Sequence, residues 1–195
     1  MIEVLSAAGV MNVDSVPTLP AAPDERDSVD QWLTRNSLTE NSFVVLHAGA
    51  SATRPEKRWP FFAALGSRLS AAGLRPVWIG AAADAKINRE LCATSGGIDA
   101  SDCFSIIELA ELGRHARFAV TNDSGPMHVL SASHIPVVGL FGPSDWRRNY
   151  ALGQEHNVIA GVECIERYRG ARYADCLPEI SCDMVWMKLA ENGLV

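Results

Sequence analysis

A doubly wound α/β fold with a mainly parallel sheet is predicted by three features of the 195-residue sequence. First, short apolar runs recur at Phe43–His47, Pro76–Gly80, Phe118–Thr121 and Val137–Phe141. They lack the strict alternation of a strand with one wet face, so both faces must be covered. Second, segments with helical spacing or helix-start signals lie between these runs, and strand–helix alternation builds layered parallel sheets. Third, glycines, hydroxyls and charges gather just after the runs, where open α/β sheets hold their ligands.

The elements follow in order. Residues 1–41 read as linker and residual interdomain segment with short helices, and residues 42–195 as the main domain. Val16 to Asp27 (VPTLPAAPDERD) carries three prolines and four charges, the mark of a linker, and a short helix is expected at Ser28 to Asn36. After the strand at Phe43–His47 comes a polar loop, Gly49 to Arg58. Pro60 suits the first turn of a helix reaching about Ala72, with Phe61, Phe62, Leu65 and Leu69 on one face and Gly73 as the stop. A strand at Pro76–Gly80, a helix around Ala83 to Thr94 and a short segment near Ile98 precede a helix opened by Ser105 and Glu108 at capping-box spacing. Phe118–Thr121 is strand, Gly125 to Ser133 helix, Val137–Phe141 strand, Gly142 to Tyr150 a long loop, and Asp183 to Glu191 a closing helix.

Composition narrows the function. With 48% hydrophobic and 21% charged residues the chain can bury one sizeable core. The net charge of −6 is concentrated in Met1 to Leu46, with seven acids and two bases, against sixteen acids and fifteen bases in the remainder. Cations cluster in expected loops: Arg54, Lys57 and Arg58; Arg147 and Arg148; Arg167, Arg169 and Arg172. Loop cations on a near-neutral body suit a small phosphorylated ligand, not nucleic acid, which calls for a broad basic face. The five cysteines show no CxxC pair or zinc spacing, so reduced thiols and no metal are expected. Glu3 stands where a signal peptide would carry positive charge, and the apolar stretch Val129 to Gly142 is interrupted by His134 and Pro136. A cytoplasmic protein is the expectation.

Three post-strand loops carry the chemistry. In Ala48–Pro60, Gly49, Ala50 and the other small residues let main-chain N–H groups approach an anion. Ser51 and Thr53 can donate hydrogen bonds, and Lys57 can set a point charge on a phosphate oxygen. Neither GxGxxG nor the GxxxxGK[ST] loop is present, which disfavours a dinucleotide site and a P-loop kinase. In Thr121-Asn122-Asp123-Ser124-Gly125-Pro126-Met127-His128 an apolar run enters a helix whose first N–H groups favour a phosphate. A carboxylate beside that phosphate is better placed on sugar hydroxyls, or it caps the helix, so Asp123 has two readings. His128 likewise faces a ligand or sits satisfied in the core. The third loop, Gly142-Pro143-Ser144-Asp145-Trp146-Arg147-Arg148, is a turn that adds a hydroxyl, a carboxylate and two arginines. Asp-Ser-Gly after an apolar strand also occurs in aspartic proteases, but those need two copies on a β-rich fold, and here one copy runs into a helix.

HxGAS…KRWP at His47 to Pro60, TNDSGPMH at Thr121 to His128 and PVVGLFGPSD at Pro136 to Asp145 together resemble family-nine glycosyltransferases, the bacterial ADP-heptose:lipopolysaccharide heptosyltransferases. Specifically, they resemble the carboxyl-terminal, donor-binding domain, over about His47 to Cys182. The resemblance implies one Rossmann-like half of a two-domain GT-B enzyme, transferring an ADP-activated sugar with inversion and without a metal or other cofactor. It implies that Ser51 and Lys57 hold donor phosphate and sugar oxygens, Asp123 the transferred sugar, and Ser124, Gly125 and His128 the diphosphate. Gly49, Ala50, Asn122, Pro126, Met127, Gly142 and Pro143 complete the expected donor site. Lys57 and Asp123 are the residues closest to the chemistry. After Gly80, Ala81, Ala82 and Ala83 delay the first acid to Asp84, the expected ribose contact. The amino-terminal domain, which the resemblance implies would supply the base and bind a glycolipid or glycan acceptor at the cytoplasmic face of the inner membrane, is expected to be missing from these residues. The chain alone is therefore expected to bind donor without transferring it. A non-catalytic nucleotide-sugar-binding module, or a transferase using another nucleotide-sugar, is the alternative.

Overall fold

The computed structural model describes residues 7–9, 16–51, 53–161 and 176–195. Six strands, β1 (Phe43–His47), β2 (Arg75–Gly80), β3 (Ile98–Ser101), β4 (Ala119–Asn122), β5 (Val137–Phe141) and β6 (Val158–Ala160), form one sheet in the order β3-β2-β1-β4-β5-β6. Every neighbouring pair is parallel. The helices are α1 (Pro23–Arg35), α2 (Phe62–Ala71), α3 (Ala85–Ser95), α4 (Ile106–His115), α5 (Gly125–Ser131), α6 (Trp146–Asn149) and α7 (Cys182–Glu191).

The two-residue period of the strands divides the core into two layers. Val44 and Leu46 of β1 face Phe62, Leu65 and Leu69 of α2, Leu91 of α3, and Val185 and Leu189 of α7. Phe43 and Val45 face the other way, toward Val29 and Leu33 of α1, Leu112 of α4, and Met127 and Leu130 of α5. Both layers are dry, which is why the strands read as continuous apolar runs and not as alternating ones.

From β1 the chain winds outward through β2 and β3, then returns to β4 and winds the opposite way through β5 and β6. The reversal places β1 beside β4 and opens a crevice at their carboxyl ends. His47 closes β1 and Asn122 closes β4, so the residues that follow them share this mouth.

Some elements differ from expectation. α1 starts at Pro23, inside the stretch read as linker, because proline is well suited to the first helical turn and Glu25 accepts from the Ala22 N–H at 2.7 Å. Leu19 is held by its carbonyl against the Arg114 guanidinium. β6 falls where no strand was expected, and α6 interrupts the expected long loop, with Asp145 accepting from Arg147 N–H at its start. Cys176 is disulfide-bonded, which corrects the reading of uniformly reduced thiols. At 1% exposure its sulfur is shielded from solvent, while Cys92, Cys103 and Cys182 are free. Cys164 and the basic group Arg167, Arg169 and Arg172 lie outside the described residues. Among the described residues no helix is long and apolar enough to cross a membrane, and no group of three His, Cys, Asp or Glu residues is placed for a metal.

Candidate functional site at the β1–β4 mouth

Lys57 lies on a short 3-10 turn, Pro55–Lys57, that brings the loop after β1 back over the end of β4. Its ammonium donates to Asp123 Oδ2 at 2.6 Å. Their side chains are 20% and 8% exposed, so the pair is shielded but open on one side. The Ser144 hydroxyl donates to the same carboxylate oxygen. Thus all three post-strand loops meet at Asp123. No side-chain hydrogen bond caps α5, so of the two readings of Asp123, capping has no support.

The loop stays in place through Asn122, which is fully buried. Its amide donates to the carbonyls of Ala48 at 3.1 Å and Gly49 at 3.0 Å, and its oxygen accepts from the Trp59 N–H at 3.1 Å. Trp59 is pinned in turn by its indole N–H on the Ile180 carbonyl at 2.7 Å. Asn122 therefore ties the two strand ends together, and its side chain has no face left for a ligand.

Ser124 is similarly engaged. Its hydroxyl donates to the Asn122 carbonyl at 3.1 Å, and its oxygen lies 3.0 Å from His47 Nδ1. A hydroxyl has one hydrogen, so with that hydrogen on the carbonyl the imidazole is the donor, through Nδ1–H. Burial pushes the His47 pKa down to about 4, with the Arg58 charge adding to the depression and Asp84 partly opposing it. The ring is neutral at physiological pH, with its single N–H on Nδ1. Ser124 can meet an anion through its main-chain N–H, but its hydroxyl is already held by His47 and the Asn122 carbonyl.

The remaining expected residues divide by exposure. Ser51, Gly125 and His128 are exposed, and Ala50 and Pro126 half-buried, around the mouth. The Ser51 hydroxyl pairs with that of Thr53 at 2.9 Å. The exposure of His128 removes the core-histidine reading. Met127 is fully buried in the second core layer, so it has only main chain to offer. Gly142 and Pro143 are buried, and a β-carbon on Gly142 would lie 2.7 Å from Leu177 Cγ. That loop's reach into the mouth is Ser144, the hydroxyl noted in the sequence but not placed among the expected donor contacts.

Asp84 is turned inward. Its carboxylate accepts from the Ala81 N–H at 3.1 Å. A β-carbon on Gly49 would sit 2.5 Å from Asp84 Oδ1, and one on Gly80 2.7 Å from Asp84 Cβ. The expected ribose contact is instead wedged between two glycine-bearing loops at 8% exposure. Two side chains beyond the expected set also belong to this region: His47, and Arg58, whose buried Nε has no partner.

Over residues 3–170 the chain matches the model of glycosyltransferase family 9 (heptosyltransferase). It is 34% identical over 146 residues to lipopolysaccharide heptosyltransferase 2 of Escherichia coli K12, covering 71% of this chain and 42% of that protein. Against the Salmonella typhimurium protein of the same name it is 34% identical over 156 residues, covering 72% and 45%. Its fold is similar to a family 9 glycosyl transferase from Veillonella parvula, with TM-score 0.79, 25% identity and coverage of 99% and 58%. It is also similar to E. coli ADP-heptose lps heptosyltransferase II, with TM-score 0.70, 26% identity and coverage of 91% and 53%. The chain spans about half the length of these relatives. With the family model matching most of its length and all three loop motifs meeting at one mouth, the chain belongs to glycosyltransferase family 9.

Proposed function

We propose that the β1–β4 mouth binds the diphosphate of a nucleotide-sugar, and that residues 42–195 are the donor-binding domain of an inverting, metal-independent heptosyltransferase acting on a lipopolysaccharide-type acceptor. One observation carries this reading: the Lys57 ammonium lies 2.6 Å from the Asp123 carboxylate, one residue before Ser124, the N-cap of α5. Cation, hydroxyls and acceptor carboxylate thus converge where a strand meets a helix at the fold's reversal point. The names of the related E. coli proteins support an ADP-heptose as donor and a lipopolysaccharide as acceptor.

In this mechanism Lys57 turns from Asp123 toward the diphosphate and stabilises the leaving group as its charge grows. Asp123, released from the ammonium and still holding Ser144, accepts hydrogen bonds from hydroxyls of the transferred sugar. His47 and Asn122 touch no donor atom. They fix the main chain on which the two reacting loops stand. The acceptor's general base must lie within about 2.6 to 3.2 Å of the attacking hydroxyl, and we assign it to the part of the family's length that these 195 residues do not span. The chain alone then binds donor with little or no transfer, at the cytoplasmic face of the inner membrane.

Calorimetry of ADP, UDP and GDP against the wild-type chain and Lys57→Ala tests the reading. ADP is expected to bind tightest, and Lys57→Ala to weaken it at least about tenfold, as loss of a charge-assisted contact should. Lys57→Arg, which keeps a cation, should recover part of that affinity. Absence of nucleotide binding, or binding indifferent to both substitutions, overturns the proposal.

A further inference from the structure

The Lys57–Asp123 pair sets a condition on what the mouth can hold. Two other ion pairs of these loops, Arg54–Glu56 and Arg147–Asp145, each join residues two apart within one loop. Lys57 and Asp123 stand on different loops, 66 positions apart, and their bond closes from one to the other. Both side chains are largely shielded from water. The ammonium and the Ser144 hydroxyl both reach Asp123 Oδ2, and among the described residues Oδ1 accepts no hydrogen bond. The cation is thus neutralised by an acid of its own chain, and the acid keeps one oxygen open.

A diphosphate can draw Lys57 to itself only by breaking this pair. What becomes of the carboxylate then depends on the rest of the ligand. With a nucleoside diphosphate, Asp123 keeps the Ser144 hydroxyl alone and faces negative phosphates, and a shielded carboxylate stripped of its counter-charge is costly. With a nucleotide-sugar, sugar hydroxyls donate to the carboxylate, and both members of the broken pair regain partners. Either ligand must open the same bond, but only the second offsets its loss on both sides.

We propose that the Lys57–Asp123 bond is an autoinhibitory contact that makes the mouth hold an intact nucleotide-sugar in preference to the nucleoside diphosphate left after sugar transfer. This rests on the diphosphate reading above. Once the sugar has passed to an acceptor, Asp123 loses its hydroxyl partners and takes Lys57 back, which loosens the remaining diphosphate. The differential affinity of the two ligands for the open and closed pair is the whole of the effect.

The test is calorimetry of ADP and ADP-heptose against the full chain, as wild type, Asp123→Asn, Lys57→Ala and the double variant. Wild type should prefer ADP-heptose by about tenfold or more. Asparagine carries no charge to hold the ammonium, so Asp123→Asn should bind ADP several-fold more tightly than wild type and narrow the preference. Plain repulsion between carboxylate and phosphates would also raise ADP affinity, but equally with and without Lys57. Partner exchange requires the gain to be clearly smaller when asparagine is introduced into Lys57→Ala. Asp123→Ala, a second way to remove the charge, should show the same gain. ADP affinity unchanged or weaker in both Asp123 variants, or a gain equal in the two backgrounds, overturns this inference and leaves the donor site standing, provided ADP still responds to Lys57→Ala. No binding of either nucleotide to wild type, or ADP binding indifferent to Lys57→Ala, overturns both.

Discussion

The two halves of the sheet's carboxyl edge are built to opposite rules. At the ends of β1 and β4, His47, Asn122, Asp123 and Ser124 are bonded to one another's loops and to Lys57, Trp59 and Ser144. At the ends of β2 and β3 the walls are Gly80, Ala81, Ala100, Phe104 and Ile106, with a single carboxylate. The first half holds its polar groups through bonds to one another. The second offers shape and apolar surface. The difference teaches that one sheet edge can carry bonded polar groups over β1 and β4, where the fold reverses, and apolar surface over β2 and β3.

The comparison makes unequal demands on stability, and three measurements sharpen it. Asn122→Ala should cost the most, about 4 kcal/mol in urea unfolding, because it strands the Trp59 N–H and the Ala48 and Gly49 carbonyls, all buried. A loss under about 1 kcal/mol would mean that the polar half does not depend on this clamp. Next comes the pH response of His47. Its native pKa of about 4 lies below the ordinary histidine value of 6.5, so above pH 6.5 it adds no penalty. As pH falls from 6.5 toward 4 the unfolded chain takes up a proton that the native ring refuses. Stability should drop by roughly 3 kcal/mol across that window, and the drop should be missing in His47→Gln. An unchanged slope in the variant would move its origin elsewhere. The smallest effect belongs to the apolar half: Ser105→Ala, which removes the cap of α4, should cost about 1 kcal/mol in thermal unfolding. A cost equal to that of Asn122→Ala would erase the contrast.

Strands with dense apolar runs were legible from sequence alone. Phe43–His47 and Val137–Phe141 coincide with β1 and β5 because both faces of each are covered. β6 was not, since three residues at a half-covered edge give no periodic signal. α1 was missed in part because its opening proline also marks linkers. At the site, the motifs marked loops that the structure brings to one mouth, without predicting which hydrogen bonds their residues make. Asn122 and Asp84 look like ligand contacts in sequence, yet the partners that occupy Asn122 include Trp59, 63 positions away. The Lys57–Asp123 pair spans 66 positions. Such pairings depend on which strands become neighbours, and no local pattern encodes that. Met127 shows the same limit: only the direction of α5 decides that its side chain enters the core.

Asp84, Gly49 and Gly80 interlock so tightly that they can only change together. A methyl group on either glycine would land on the acid, and replacing the acid by a smaller residue would empty the space beneath both loops. Sequences drifting at this spot should therefore keep all three residues or lose all three, leaving a correlated trio drawn from two separate stretches of the chain.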